Sequence, residues 1–136
     1  MNNTAAETRS VVVEREIPYP PEKIWRALTQ PHLIEEWLMK SDFKPVTGHR
    51  FDFRAGWGSV DCRVLAVEPN KTLSYTWDAQ GLESVVTWTL TPSSAGTRLR
   101  MEQSGFRPDQ QRAYQGAKIG WQQFLAALEQ MLVKVD

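Results

Sequence analysis

From Gly48 to Ser104 apolar and polar residues alternate with a period of two, and on either side the period lengthens to that of a helix. Turn signals at Ala55-Gly56, Pro69-Asn70, Gln80-Gly81 and Ala95-Gly96 divide the alternating block into five short strands, an antiparallel meander. One face collects Phe51 and Phe53, then Cys62, Val64 and Ala66, then Leu73, Tyr75 and Trp77, then Val86, Trp88 and Leu90, and last Leu99, Met101 and Gln103. The opposite face carries Arg50, Asp52, Arg54, Asp61, Arg63, Thr76, Thr87, Arg98, Arg100 and Glu102, so it is expected to face water.

Ahead of the meander, RSVVVEREI is rich in β-branched residues and predicts one more strand, which PYPP ends because proline has no N–H to donate. PEKIWRALT sets Ile24, Trp25 and Leu28 on one face, and QPHLIEEWL sets Leu33, Ile34, Trp37 and Leu38 on another. These are two short helices, each with a proline near its start. Behind Pro108, the residues Tyr114, Ala117, Trp121, Phe124, Leu125, Leu128 and Leu132 form one stripe along a helix of about six turns, with Asp109 as its expected cap. That stripe is expected to lie on the apolar face of the sheet. Residues 1 to 8 are small and polar and are expected to be a disordered tail, leaving 9–136 as one domain.

Charge and composition narrow the function classes. Sixteen basic residues balance sixteen acidic ones and the sequence pI is near 6.7, so no global field draws nucleic acid or an anionic membrane. The opening MNNTAAETRS lacks a signal-peptide pattern, and no run of about 18 apolar residues predicts a membrane span. A cytoplasmic protein is the expectation. The lone Cys62 rules out an intrachain disulfide, and His32, His49 and Cys62 have no zinc spacing, so no metal and no cofactor is expected. No serine elbow, phosphate loop or paired carboxylates appear, and no catalytic residue is nominated.

The stretches PPEKIWRALTQPHLIEEWL, DFKPVTGHRFDFR, VLAVEPNKTLSYTW, VTWTLTP, GTRLRMEQSGF and the GW of the last helix together resemble the START-like, or SRPBCC, helix-grip superfamily. Within it the chain is similar to the branch of the activator of the heat-shock-protein-90 ATPase. The resemblance implies an α+β helix-grip fold: a curved six-stranded antiparallel sheet around a long C-terminal helix, with two short helices after strand one. It also implies a cavity between helix and sheet, and a small-molecule binding protein. The branch brings a second expectation, a co-chaperone-like activator of a chaperone ATPase. A third is a cyclase or hydratase that uses the same cavity.

The residues that would line such a cavity are bulky rings with a few polar groups. Trp37, Phe51, Phe53, Trp77, Trp88 and Trp121 fall on stripes that converge between helix and sheet, with Met101 and Ala117 beside them. Tyr75, Gln103 and Tyr114 are the expected polar lining, and the apolar or aromatic small molecule is the expected partner. Arg15 shares parity with Val11, Val13 and Ile17, so it either faces inward toward a carboxylate or ends the strand in water. Gly116 and Gly120 lie one turn apart within the helix, where each costs about 1 kcal/mol against alanine, and a close approach of backbone or ligand is expected there. An exposed edge strand leaves monomer and homodimer both open.

Overall fold

Strand β1 (Arg9–Ile17) stops at the prolines and leads into two helices that each begin on proline, α1 (Pro21–Thr29) and α2 (Pro31–Trp37). A two-residue strand β2 (Lys40–Ser41) precedes the meander of β3 (Arg50–Ala55), β4 (Gly58–Glu68), β5 (Thr72–Ala79), β6 (Leu82–Ser93) and β7 (Gly96–Phe106), and α3 (Gln111–Lys134) closes the order. The computed structural model describes residues 7–135. The expected tail therefore lies almost wholly outside the described residues, and Glu7 and Thr8 are exposed and without regular structure.

The sheet has seven antiparallel strands in the order β1-β7-β6-β5-β4-β3-β2, against the six expected. The additional one is β2, which pairs with β3 through Lys40↔Arg54 and Ser41↔Phe53. Two residues are too few for alternation to announce a strand. A second correction concerns β4, where the register shifts between Val64 and Ala66. That bulge reverses the alternation, so Ala66 is exposed and Val67, opposite Leu73, packs on the core. Elsewhere the expected face is the buried one, from Phe51 through Gln103.

Helix α3 lies on that buried face and contacts β1, β7, α1 and α2. Its buried residues, Trp121, Leu125, Leu128, Met131 and Leu132, begin near its middle and continue to its last turn; Tyr114 and Ala117 are half-buried. Asp109 is not the cap. Gln110 holds that position, accepting the Arg107 N–H at 2.9 Å and donating to the Gly81 carbonyl at 3.2 Å, while Asp109 pairs with Arg107 at 3.3 Å. The start of α3 is thereby tied to the β5–β6 turn. No described helix is long and apolar enough to cross a membrane.

Gly116 and Gly120 do not serve a close approach. A Cβ built at either meets no atom within 4 Å, so packing does not require glycine there. Gly116→Ala is therefore expected to stabilise the fold by about 1 kcal/mol, raising the melting temperature by roughly 3–5 °C. Calorimetry showing a lower melting temperature would mean that the helix needs flexibility at this turn.

Candidate functional site

Rings fill the space between α3 and the inner face of the sheet. Trp88, fully buried, stands edge-on to Trp37 at 5.7 Å and to Trp121 at 5.8 Å between centroids. Trp121 leans on Trp77 at 5.1 Å and on Phe124 at 5.5 Å. From Trp77 the contacts pass to Phe53 at 5.3 Å, and from Phe53 to Phe51 at 5.3 Å and Tyr75 at 5.7 Å. Phe43, two residues beyond β2, completes the set against Phe51 at 5.0 Å and Tyr75 at 6.1 Å. Edge-to-face and tilted pairs of this kind each contribute about 0.5–1.5 kcal/mol beyond area burial. The rings therefore hold each other in place.

A hydrogen-bonded relay runs through this cluster. Trp121 Nε1 donates to Gln103 Oε1 at 2.7 Å, Gln103 Nε2 donates to Ser84 Oγ at 2.9 Å, and Ser84 donates to the Trp77 carbonyl at 2.8 Å. Trp88 Nε1 donates to the Tyr75 hydroxyl at 3.0 Å, and Trp37 Nε1 to the Ala27 carbonyl at 2.9 Å. Each buried indole N–H of the three is satisfied, as burial demands. Burial pushes the Tyr75 phenol far above its ordinary range, so it stays protonated. Burial, then the carboxylates of Asp78, Asp61 and Asp52, likewise push the Cys62 thiol up, which keeps it a neutral, weakly nucleophilic group.

The expected lining residues fall into two groups. Trp37, Phe51, Phe53, Tyr75, Trp77, Trp88 and Trp121 share the ring cluster, with Gln103 in its relay. Met101 stands opposite Trp88 in register and is fully buried. Tyr114 lies apart: its ring contacts are Phe106 at 5.5 Å, with Arg9 above it at 4.0 Å and Lys118 at 5.4 Å. Arg15 has both a protein carboxylate and a protein amide. Its Nε pairs with Glu129 at 3.1 Å and Nη2 donates to Gln122, which straps β1 to α3 and leaves Arg15 no pocket role. His49 stacks on Phe51 at 6.0 Å at the rim, and His32 is exposed. Among the described residues no group of three His, Cys, Asp or Glu is placed to hold a metal ion.

Three participants were not singled out by sequence. Ser84 shares parity with Val86 and Trp88, and a serine at a core position of a strand is a signal for a buried hydrogen bond. Phe43 and Ser41 sit in a stretch without period, so nothing in the alternation assigns them a face.

The site is not an open chamber. Among the described residues the hollows include ones of about 310, 200 and 360 Å³ sharing Asp78 at the outer face and hairpin end, and two others border β1 and the chain before it. None of these is lined by Trp121. At 3.6 residues per turn Gly120 emerges opposite Gln122, which with Tyr114 and Lys118 faces β1. Gly120 thus lies on the flank of α3 away from β1, with no atom within 4 Å of a Cβ built there. On the β3–β5 half of the sheet Phe51 and Trp77 retain 6% and 8% of their surface, whereas Trp88 and Met101 retain none.

Comparison with known proteins places the chain. Residues 18–133 match the family described as Activator of Hsp90 ATPase homolog 1-like protein. The fold is similar to that of protein MLL2253 from Mesorhizobium loti, 68% identical with a TM-score of 0.91, over 94% of this chain and 99% of that one. It is also similar to BH1534 from Bacillus halodurans, 27% identical with a TM-score of 0.81, over 91% of this chain and 96% of that one. DynU16, described as a protein in the dynemicin biosynthetic locus, is 31% identical with a TM-score of 0.81, over 90% of this chain and 46% of that one. No curated protein matches the chain.

Proposed function

The chain belongs to the Activator of Hsp90 ATPase homolog 1-like family, a START-like branch, and on that premise we propose that it binds a small, flat, largely apolar molecule between α3 and the sheet. The observation that carries this reading is the convergence of Trp37, Trp77, Trp88, Trp121, Phe51 and Phe53 on one interior region, beside a helix flank where a Cβ at Gly120 meets no atom within 4 Å. Ring surfaces stack on a flat guest as they stack on each other, with little loss of side-chain freedom because they are already ordered. Similarity to DynU16, a protein of a biosynthetic locus, supports a small molecule as the occupant.

The packing limits the guest. Because α3 is buried against the core from Trp121 to its last turn, a molecule enters by parting Phe51, Trp77 and Trp121, and one or two fused rings are the size such an opening admits. Ligand stabilises the fold by mass action, by about 2.7 kcal/mol at a hundredfold excess over Kd.

Titration with naphthalene-sized aromatics is expected to change the tryptophan emission saturably and to raise the melting temperature. Gly120→Leu, which fills the open flank without touching the rings, is expected to weaken that binding at least tenfold and leave the fold intact. Unchanged emission and melting temperature across the panel would overturn the reading.

A further inference from the structure

Two polar groups on the inner face are unspent. Ser41 Oγ is buried with no hydrogen-bond partner. Tyr75 accepts from Trp88 at 3.0 Å, but among the described residues nothing accepts its own proton. A hydroxyl has one donor and two acceptor sites, and a buried orphan is unfavourable by the desolvation of that group. Both orphans face the same rings. Ser41 stands opposite Phe53 in register, so the two side chains share a face, and Phe53 is 99% buried with its ring 5.7 Å from that of Tyr75. Phe43, two residues along from Ser41, lies 6.1 Å from Tyr75.

We infer that Ser41 and Tyr75 form a polar anchor, two hydroxyl donors within an apolar ring wall, that selects aromatic guests carrying a hydrogen-bond acceptor such as a ketone or quinone oxygen. This rests on the binding reading above and gives it a chemical class. An acceptor oxygen on the guest takes up an unspent proton, whereas a guest without one leaves both hydroxyls as they are; discrimination therefore comes from groups left unpaired. The phenol remains protonated at every physiological pH and can always donate. Short β2, held through two residue pairs at the sheet edge, is the element that carries Ser41 and is the easiest part of the sheet to displace as a guest settles.

The test is a matched pair of probes, 2-acetylnaphthalene and 2-ethylnaphthalene, alike in size and differing by the carbonyl. The wild-type chain is expected to bind the ketone about tenfold more tightly, the ratio for one good hydrogen bond. Ser41→Ala, which removes an orphan and should not lower the melting temperature, is expected to cut that preference to about threefold with the affinity for 2-ethylnaphthalene unchanged. Tyr75→Phe is expected to do the same, and serves as the second variant because it also withdraws the acceptor of Trp88. Equal affinity of the wild-type chain for both probes overturns the anchor and leaves the binding reading standing. A ketone preference that survives Ser41→Ala, Tyr75→Phe and their combination overturns the assignment to these two residues. Binding of neither probe overturns both inferences.

Discussion

Trp88→Ala is expected to lower stability by about 3–5 kcal/mol, the largest effect of any single change proposed for this chain. Trp88 is fully buried at the centre of β6, edge-on to Trp37 and Trp121, with Met101 opposite it and its N–H on Tyr75. Truncation removes the transferred area of the largest side chain and opens a cavity whose walls are other rings, which cannot collapse inward without leaving their own contacts. The Tyr75 hydroxyl loses its donor at the same time. Urea denaturation measures the loss as a lower midpoint at constant m, and Trp88→Phe, which keeps a ring, should recover about half of it. A loss below about 1.5 kcal/mol would mean that the rings are loosely packed.

Gln103→Leu is expected to cost about 1–3 kcal/mol, because it leaves the buried Trp121 N–H without an acceptor. The buried Trp121 N–H loses its acceptor, while Ser84 loses the Gln103 amide but keeps its bond to the Trp77 carbonyl. Leucine is close to glutamine in volume, so the loss reports hydrogen bonding and not a void. Ser84→Ala breaks the same relay further along, leaving the Gln103 amide N–H without its acceptor and the Trp77 carbonyl without the hydroxyl, and should cost a similar amount. Equal stability of Gln103→Leu and the wild type in chemical denaturation would show the relay to be energetically idle.

These residues also show how far the sequence could be read. Alternation and turn dipeptides place Trp88, Met101 and Gln103 on one face because a strand's period of two is rigid between turns. That rigidity fails silently at the β4 bulge, where Ala66 and Val67 exchange faces with no marker residue between them. Asp109 looked like a cap because the residue type favours one, but its carboxylate is held by Arg107 and Gln110 takes the position. At Gly116 and Gly120 the backbone alternative fails for a different reason: sequence shows the helical cost of glycine and not whether protein lies beside it. Of the site, the tryptophans and Gln103 were legible. Ser41 and Phe43 were not, since a two-residue strand and the loop behind it have no periodicity to assign a face.

The seven-stranded sheet and α3 create the site by unequal contact. From Trp121 onward α3 is locked by five buried residues, while none of the residues before it in the helix is buried. The binding we propose would use the less tightly packed end of this frame, where opening is easiest.

The central claim, that a guest enters the ring cluster from the Gly120 flank, is tested most directly by following the six tryptophan indole N–H resonances while 2-acetylnaphthalene is added. The account predicts large shifts at Trp77 and Trp121, a smaller one at Trp88, and none at Trp57 on the exposed β3–β4 turn. Shifts confined to Trp57, or no shift at Trp77 and Trp121 at saturating probe, would contradict it.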